Sequence, residues 1–313
     1  MTVQERRPEA GRDGADGEFV RQQARFRDWV TADGSSGYPA APGRYHLYVA
    51  LACPWSHRTV IVRKLKRLED AIGISYLHPY RDDRGWAFDG EKFADDLHGW
   101  DYLSEAYEAS APGYDGRVSV PVLWDRETGR IVNNESADII VMLNSEFDEW
   151  ADTSVDFHPP ELRAEIDDLG EWIYANLNNA VYQAGFAASQ SAYDRAYARV
   201  ADALPRLDER LARRRFLTGE RITLADWRLW VTLVRFDAVY HTHFRCNGAR
   251  VAELENLWGY TRDLYQEPGV AETVAMDEIK RHYYTTHDML NPKRVIPAGG
   301  PRHEDFMRPH GRG

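Results

Sequence analysis

Strand-like patterns are almost confined to the first half of the chain, and this asymmetry constrains the fold more than any other feature. Four segments have the period-two alternation or the short apolar run of a strand, and two have apolar residues at helical spacing. Their order, β-α-β-insert-β-β-α, is that of an α/β domain of thioredoxin type. The strands are predicted at 45–51, 72–78, 118–124 and 130–132, the helices at 54–68 and 135–147, and the insert at 80–117.

The second half of the chain has helical patterns and almost no strand pattern. An acidic stretch that ends in two prolines, residues 148–160, separates the halves and is typical of a domain linker. One helix start is marked by Thr223, with Asp226 three residues later, which predicts an arrangement close to a capping box. The helices are predicted at 161–178, 189–213, 224–240, 251–266 and 276–287.

These patterns predict two domains, and 313 residues suit two domains of ordinary size. We predict a thioredoxin-like α/β domain at residues 41–150 and an all-α helical bundle at 151–292. Residues 1–40 are predicted to be a polar extension, partly disordered at its start, with one amphipathic stretch at 19–30. Residues 293–313 are predicted to be a tail that is loose or wraps a neighbour. The insert is expected to carry site residues rather than to form core.

Composition and charge exclude several classes of function. A formal net charge of −11 argues against a protein that binds nucleic-acid backbones. No apolar run of about 18 residues predicts a membrane span, and the N-terminus lacks the apolar core of a secretory signal. Two cysteines make no disulfide framework, and the histidines have no clear ligand spacing, so no metal site is predicted. We expect a cytoplasmic protein in reducing conditions.

Cys53 lies where the first predicted strand turns into the first predicted helix, and it is the main candidate for a reactive group. Pro54 suits the first helical position because its missing N–H is not needed there. A thiol at that turn meets unpaired backbone N–H groups and the positive end of the helix dipole, which both favour the thiolate. His57 and Arg58 add positive charge nearby. From spacing alone, an inert buried thiol explains Cys53 about equally well.

Ser56 occupies the position at which a CxxC dithiol has its second cysteine. A dithiol enzyme resolves a mixed disulfide with that second cysteine, so this chain needs an external thiol for the same step. Glutathione is the expected external thiol. Cys246 lies far along the helical half and is expected to be structural.

Two further segments are candidates for ligand binding. Pro121 lies inside a predicted strand, where a proline would interrupt the ladder. A cis bond from Val120 to Pro121 at a strand end would resolve the conflict and expose the backbone of Val120 to a ligand, and an edge-strand proline is the alternative. Glu135 and Ser136 open the next helix, where N–H groups and the Ser136 hydroxyl can bind a carboxylate and Glu135 an ammonium group. Alone, this pair is explained as well by a plain helix cap.

Several motifs together resemble the glutathionyl-hydroquinone reductases, the Xi class of glutathione transferases. The resemblance covers about residues 40–295 and implies a glutathione-transferase fold. One difference is Ser56, where an alanine is more usual in that family. The motifs are Cys53-Pro54-Trp55-Ser56-His57-Arg58-Thr59, Gly85-Trp86-Ala87-Phe88, Val120-Pro121-Val122-Leu123-Trp124-Asp125, Asn134-Glu135-Ser136, and Ile279-Lys280-Arg281-His282-Tyr283-Tyr284 followed by His287 and Asn291-Pro292.

The resemblance also implies roles for individual residues. Cys53 would be the nucleophile, and Tyr182 would be the proton donor to the aromatic product. Tyr240 and Tyr283 would hydrogen-bond near the thiol and favour the thiolate, with Tyr284 as an alternative to Tyr283. The positions implied in binding glutathione are Trp86, Arg117, Val118, Ser119, Val120, Glu135 and Ser136.

The activity implied is the glutathione-dependent reduction of glutathionyl-hydroquinones through a mixed disulfide on Cys53. Glutathione would be the co-substrate, and the family implies a homodimer. One alternative is an omega-like thiol transferase or dehydroascorbate reductase. Two features argue against this alternative: the insert with Trp86 and the His282-Tyr283-Tyr284 motif. Another is a non-enzymatic binding module of the same fold, which is disfavoured because the candidate site residues are all present.

Overall fold

The computed structural model describes residues 12–14 and 16–312. By contact density the chain divides into two compact units. Among the described residues, the first unit contains residue 12 and residues 21–153 and 277–295, and the second contains the rest. The domain limits drawn from the sequence remain predictions. No helix within the described residues has the length and apolar character needed to cross a bilayer.

A four-stranded mixed sheet forms the centre of the first unit. Two short strands, β1 (Arg12–Asp13) and β2 (Phe19–Val20), precede it and form a separate two-stranded sheet. Strand order in the four-stranded sheet is β4-β3-β5-β6, with β3 parallel to β4 and the other pairs antiparallel. The strands are β3 (Tyr45–Val49), β4 (Ile72–Tyr76), β5 (Val122–Asp125) and β6 (Arg130–Asn133).

Each predicted helix has a counterpart among the described residues, with boundaries that differ in detail, and three short α-helices at 104–110, 180–185 and 303–306 were not predicted. Two π-helical turns, Tyr174–Asn178 and Phe236–Tyr240, end the long helices predicted at 161–178 and 224–240. The α-helices are α1 (Pro54–Leu65), α2 (Ser104–Ser110), α3 (Ser136–Ser145), α4 (Arg163–Ile173), α5 (Ala180–Gly185), α6 (Gln190–Leu211), α7 (Leu224–Arg235), α8 (Glu255–Tyr265), α9 (Met276–Thr286) and α10 (His303–Phe306).

The start of α7 is held by the pair that the sequence marked. The buried Asp226 carboxylate accepts the Thr223 backbone N–H at 2.8 Å and the Thr223 hydroxyl at 3.0 Å. The same carboxylate accepts the Leu217 N–H and the Tyr260 hydroxyl, each at 2.9 Å. Asp226 therefore joins the helix start to α8 as well as to the preceding turn.

The strand predicted at 118–124 begins only at Val122. Pro121 has no N–H to donate to a ladder. The N–H and carbonyl of Ser119 both bond to the hydroxyl of Tyr107 instead of to a neighbouring strand. Residues 118–121 therefore form an irregular segment that leads into β5.

The prediction that the insert stands apart from the core was wrong. Trp86, Phe88, Leu103 and Tyr107 are all buried in one apolar cluster with Tyr48 of β3. The same cluster contains Trp124 of β5, so aromatic side chains of two central strands pack against the insert. The insert covers these side chains, which explains its many large rings.

Residues 19–30 of the extension ahead of β3 do not form a helix, and the disorder predicted for the start of the extension falls on residues outside the described ones. Residues 26–28 instead run beside β6, where the Asp28 N–H donates to Val132 O at 3.0 Å and the Asn134 N–H to Phe26 O at 3.1 Å. These bonds cover the free edge of β6, which an unpaired strand would otherwise present to other chains.

The tail also packs onto its own chain rather than lying loose. Phe306 of α10 is 2% exposed and stacks on Tyr265, with ring centroids 4.6 Å apart. The Arg312 guanidinium donates to the carbonyls of Leu211, Arg214 and Arg215 at 2.9, 2.6 and 2.8 Å. Arg312 thereby satisfies carbonyl groups at the C-terminal end of α6, where a cation is favoured.

Candidate active site

Cys53 is the N-cap residue of α1, at the end of the turn that follows β3. Its backbone is extended (φ −80°, ψ 124°), its N–H donates to Ala50 O, and its carbonyl accepts the His57 N–H, both at 2.9 Å. The Cys53 side chain itself makes no capping hydrogen bond, and no acidic residue lies in the first turn of the helix. The partly exposed thiol is thus placed where backbone N–H groups and the helix dipole favour an anion.

Ser56 is fully buried, and it stabilises the turn before α1 instead of forming a dithiol pair with Cys53. Its Oγ accepts the Ala50 N–H at 3.3 Å, which ties the first turn of α1 to the end of the preceding strand. Cys53 and Cys246 are both free of disulfides. Cys246 lies in the second unit, where burial raises the pKa of its thiol to about 12. At neutral pH Cys246 is a buried neutral thiol, as expected of a structural cysteine.

Val120 faces the thiol with its backbone. The Cys53 Sγ lies 3.8 Å from Val120 O, within reach of a weak S–H···O contact. The Val120–Pro121 bond is cis, as the sequence predicted. Cys53 and Val118 pack against the apolar cluster that contains Val120 and Trp86. Four of the predicted site residues therefore meet in one part of the first unit.

Arg117 begins this irregular segment and is held through its backbone on both sides. The Arg117 N–H donates to Gln22 Oε1 at 3.1 Å, and the Tyr114 hydroxyl donates to Arg117 O at 3.2 Å. The extension ahead of β3 thus contributes Gln22 to a segment for which the family resemblance implies a role in glutathione binding.

Glu135 and Ser136 lie at the start of α3, as predicted. Glu135 is the N-cap, and its carboxylate accepts the Ala137 N–H at 3.0 Å. The Ser136 Oγ accepts two N–H groups of the buried Arg58 guanidinium, at 2.7 and 3.1 Å. Since both bonds use the oxygen as acceptor, the hydroxyl hydrogen of Ser136 is left to donate. Arg58 polarises that hydroxyl and makes it a stronger donor to an anionic ligand.

The Trp86 indole contacts the imidazole of His282 and the guanidinium of Arg81, both in the first unit. The indole stacks on the His282 imidazole, with ring centroids 5.0 Å apart and an interplanar angle of 16°. The Arg81 guanidinium lies 5.4 Å from the indole centroid. His282 Nδ1 lies 2.7 Å from Pro79 O; a carbonyl only accepts, so Nδ1 carries the hydrogen. Trp86 is therefore held in place from α9.

Tyr283 and Tyr284 are both buried in α9. Tyr283 makes edge contacts with His282 and His287, at centroid distances of 5.3 and 5.6 Å. Burial raises the pKa of Tyr284 to about 12, so its hydroxyl stays protonated at neutral pH. That Tyr283, or alternatively Tyr284, acts on the thiol stays a prediction.

Tyr182 and Tyr240 meet in the second unit. Their hydroxyl oxygens are 3.5 Å apart, and their rings pack at a centroid distance of 5.9 Å. Both rings contact Phe244, and Tyr182 also contacts Phe186. Tyr240 closes the π-helical turn Phe236–Tyr240. Either hydroxyl can donate a hydrogen bond to the other within this group of aromatic rings. This arrangement is compatible with the proton-donor role implied for Tyr182.

Three functional candidates were missed by sequence reasoning: Arg58 as the partner of Ser136, His282 as the partner of Trp86, and Tyr107 as the partner of Ser119. The two members of each pair lie in different structural elements, and they are separated by 78 residues for Arg58 and Ser136 but by only 12 for Tyr107 and Ser119. Spacing along one helix or strand cannot detect such contacts. A signal was present for Arg58 and His282, which both lie within motifs of the family resemblance, but not for Tyr107.

Comparison with known proteins supports the assignment of both halves. The family model described as "Glutathione S-transferase, N-terminal domain" matches residues 52–146, and "Glutathione S-transferase, C-terminal domain" matches residues 190–263.

Curated relatives match almost the whole chain. Glutathionyl-hydroquinone reductase YqjG of Escherichia coli is 48% identical over 305 residues, which cover 95% of this chain and 92% of the relative. Glutathionyl-hydroquinone reductase PcpF of Sphingobium chlorophenolicum is 44% identical over 285 residues, 90% of each chain.

Solved structures agree with these matches. The glutathione-bound structure of YqjG from Escherichia coli superposes with a TM-score of 0.89 at 49% identity, over 92% of this chain and 96% of that one. A Xi-class glutathione transferase from Natrialba magadii gives a TM-score of 0.89 at 50% identity, over 92% and 88%. The chain therefore belongs to the glutathione transferases and, within them, to the Xi-class family of glutathionyl-hydroquinone reductases.

Proposed function

We propose that this protein is an enzyme that reduces glutathionyl-hydroquinones to hydroquinones, with glutathione as co-substrate. The observation that carries the proposal is the position of Cys53: its partly exposed thiol lies at the start of α1, next to the backbone of Val120. With Ser56 in place of a second cysteine, a mixed disulfide on Cys53 has no internal thiol in its own motif to resolve it.

The first half-reaction transfers glutathione from the ring to the protein. The Cys53 thiolate attacks the glutathionyl sulfur, the bond between that sulfur and the ring carbon breaks, and the ring carbon takes the electron pair and a proton. Tyr182 is the proposed proton donor. The products are a hydroquinone and a disulfide between Cys53 and glutathione.

The second half-reaction restores the thiolate. The thiolate of a second glutathione attacks the glutathionyl sulfur of the mixed disulfide and releases glutathione disulfide. Overall, one glutathionyl-hydroquinone and one glutathione give one hydroquinone and one glutathione disulfide. Covalent catalysis in two steps predicts ping-pong kinetics, with parallel rather than intersecting double-reciprocal lines.

Other residues have proposed binding and tuning roles. The Ser136 hydroxyl, supported by Arg58, and the Glu135 carboxylate would bind the two charged groups of the γ-glutamyl end. The backbone of residues 117–120 would bind the cysteinyl part of glutathione, and Trp86 would pack against it. Tyr240 and Tyr283 would hydrogen-bond near the thiol. We also propose that the protein acts in the cytoplasm, where glutathione is reduced, and as a homodimer.

Intact-mass spectrometry after incubation with a glutathionyl-hydroquinone tests the proposal. We expect one glutathione adduct, release of free hydroquinone, and loss of the adduct when more glutathione is added. Cys53→Ala should form no adduct, whereas Cys246→Ser, which removes the other cysteine, should behave as the unsubstituted protein. A folded protein with no adduct and no hydroquinone would refute the proposal, and turnover of dehydroascorbate instead would favour an omega-like reductase.

A further inference from the structure

The Tyr107 hydroxyl connects two separate segments of the first unit, the irregular segment before β5 and the segment between β6 and α3. It donates to Ser119 O at 2.8 Å and accepts the Ser119 N–H at 3.1 Å. It also accepts an N–H of the Asn134 side chain at 3.0 Å. A phenol has one hydrogen and two lone pairs, so these three bonds use its whole capacity.

Both segments border residues proposed to bind glutathione. Ser119 is the chain neighbour of Val120, whose carbonyl lies 3.8 Å from the Cys53 Sγ. Asn134 is the chain neighbour of Glu135, the N-cap of α3. The Asn134 amide also lies 3.4 Å from the Ser119 Oγ, so the two segments are bonded to each other as well as to Tyr107.

Tyr107 is itself immobilised, so it can hold these groups in one geometry. It is fully buried in α2, and its ring packs against Phe26 and Tyr114 at centroid distances of 5.7 and 4.9 Å. Burial raises the pKa of its phenol, so the hydroxyl keeps its proton and continues to donate at neutral pH.

We propose that Tyr107 is a positioning residue for glutathione binding: its hydroxyl sets the backbone of residues 117–120 relative to Glu135 and Ser136. This inference rests on the proposed function, because that proposal assigns the two segments to glutathione. Tyr107 touches neither the thiol nor the ligand in this scheme. It acts by keeping two binding segments at the spacing that one glutathione molecule requires, which lowers the ordering cost of binding.

Tyr107→Phe removes only the hydroxyl and keeps the packed ring. Loss of the bonds to Ser119 and Asn134 is expected to raise the dissociation constant for glutathione about tenfold, as for one or two hydrogen bonds. The matched control is Tyr45→Phe, because the buried Tyr45 hydroxyl also donates to a carbonyl, Pro39 O at 2.8 Å, in the same unit. Tyr45→Phe should leave the dissociation constant within twofold of the original value.

Calorimetric titration of reduced glutathione into the full chain measures this effect without any turnover. An unchanged dissociation constant in Tyr107→Phe, or no binding by the unsubstituted protein, overturns the inference. With saturating glutathione, kcat for hydroquinone formation should fall less than threefold, and a fall in kcat at unchanged affinity also overturns it. If Tyr107→Phe does not fold, Asn134→Asp decides: it keeps the shape but removes the N–H donor, and it should weaken binding in the same direction.

The two proposals can fail separately. A protein that binds glutathione but does not reduce glutathionyl-hydroquinones disproves the proposed function, while the titration still tests Tyr107. A protein that reduces them with Tyr107→Phe binding glutathione normally disproves the role of Tyr107 alone.

Discussion

The indole of Trp86 and the imidazole of His282 stack almost in parallel, although 195 positions of sequence separate the two residues (86 and 282). The stack joins the insert after β4 to α9, and a 2.7 Å bond from His282 to Pro79 O strengthens that connection. A second bond, from the Arg81 N–H to the Thr286 hydroxyl at 3.2 Å, runs beside it. The orientation of Trp86 thus depends on a helix encoded near the other end of the chain.

His282→Ala should raise the KM for glutathione, because Trp86 loses its stacked partner. An aromatic pair contributes about 1 kcal/mol beyond buried area, so an increase of roughly fivefold is expected. His282→Phe keeps a ring and should recover part of the affinity. His98→Ala is the matched control, since His98 stacks on Trp100 at 4.2 Å in the same unit. Equal effects of His282→Ala and His98→Ala on KM would contradict the prediction.

Arg58→Lys and Ser136→Ala should each weaken glutathione binding, and the double variant should be little worse than either. A lysine cannot reproduce the two N–H groups that Arg58 gives to the Ser136 Oγ. Each change is expected to raise the dissociation constant about tenfold, and contacting residues are non-additive. Arg63→Lys is the control, because Arg63 is also buried in α1 but donates to backbone carbonyls of Ile72 and Glu69. Additive effects in a calorimetric cycle would rule out coupling between Arg58 and Ser136.

Arg312→Ala should destabilise the protein without changing kcat. The guanidinium loses its bonds to Leu211, Arg214 and Arg215, and bonds to charged groups of this kind contribute about 2 kcal/mol. Urea denaturation should show a lower midpoint. Arg302→Ala, which removes a mostly exposed arginine of the same tail, should leave the midpoint unchanged. Equal midpoints for both variants would mean that the contacts at the end of α6 add nothing to stability.

His46 should make the protein less stable as the pH falls from neutral. Burial lowers the pKa of His46 from 6.5 to about 4, so the unfolded chain binds a proton on this residue at a higher pH than the folded chain does. Stability from His46 is therefore present above pH 6.5 and lost as the pH falls towards 4, by about 3 kcal/mol in total. Urea denaturation at pH 7, 5.5 and 4.5 measures the free energy of unfolding. In His46→Gln this free energy should fall less between pH 7 and 4.5 than it does in the unsubstituted protein. Identical pH dependence in both proteins would exclude His46 as its source.

The sequence was sufficient for features with a local physical cause. The alternation at 45–51, the proline after Cys53 and the conflict at Pro121 each follow from one segment, and the structure confirms β3, the start of α1 and the cis bond. Helix α2 was not predicted, because seven residues are too few to show a 3.6-residue period. The place of the insert in the core was also missed. The aromatic residues of the insert are scattered among polar residues without a regular period. Only their packing on the sheet shows which of these side chains are buried.

The candidate site was predictable to the same extent. The sequence placed Cys53 and Ser136 at helix starts, where the backbone itself supplies the chemistry. Arg58 was noted only as a charge near the thiol, and the structure directs its guanidinium to Ser136. That partner is set by how α1 packs on α3, which is a tertiary property. Tyr107 and Ser119 are only twelve residues apart, yet no periodic pattern links a helical residue to an irregular segment.

The chain path through the two units has a consequence for biosynthesis. Residues 21–153 share a unit with residues 277–295, and residues 16–20 share the other with residues made much later. During synthesis, the segment that contains Cys53 and Trp86 therefore emerges from the ribosome long before His282, which stacks on Trp86, has been made. Because each unit includes residues from the last forty positions, neither unit has all of its residues until synthesis is almost complete, unlike domains that are each made in one continuous stretch. If the chain were divided after residue 153, by a protease or by separate expression of the two parts, neither part would contain all the residues of one unit.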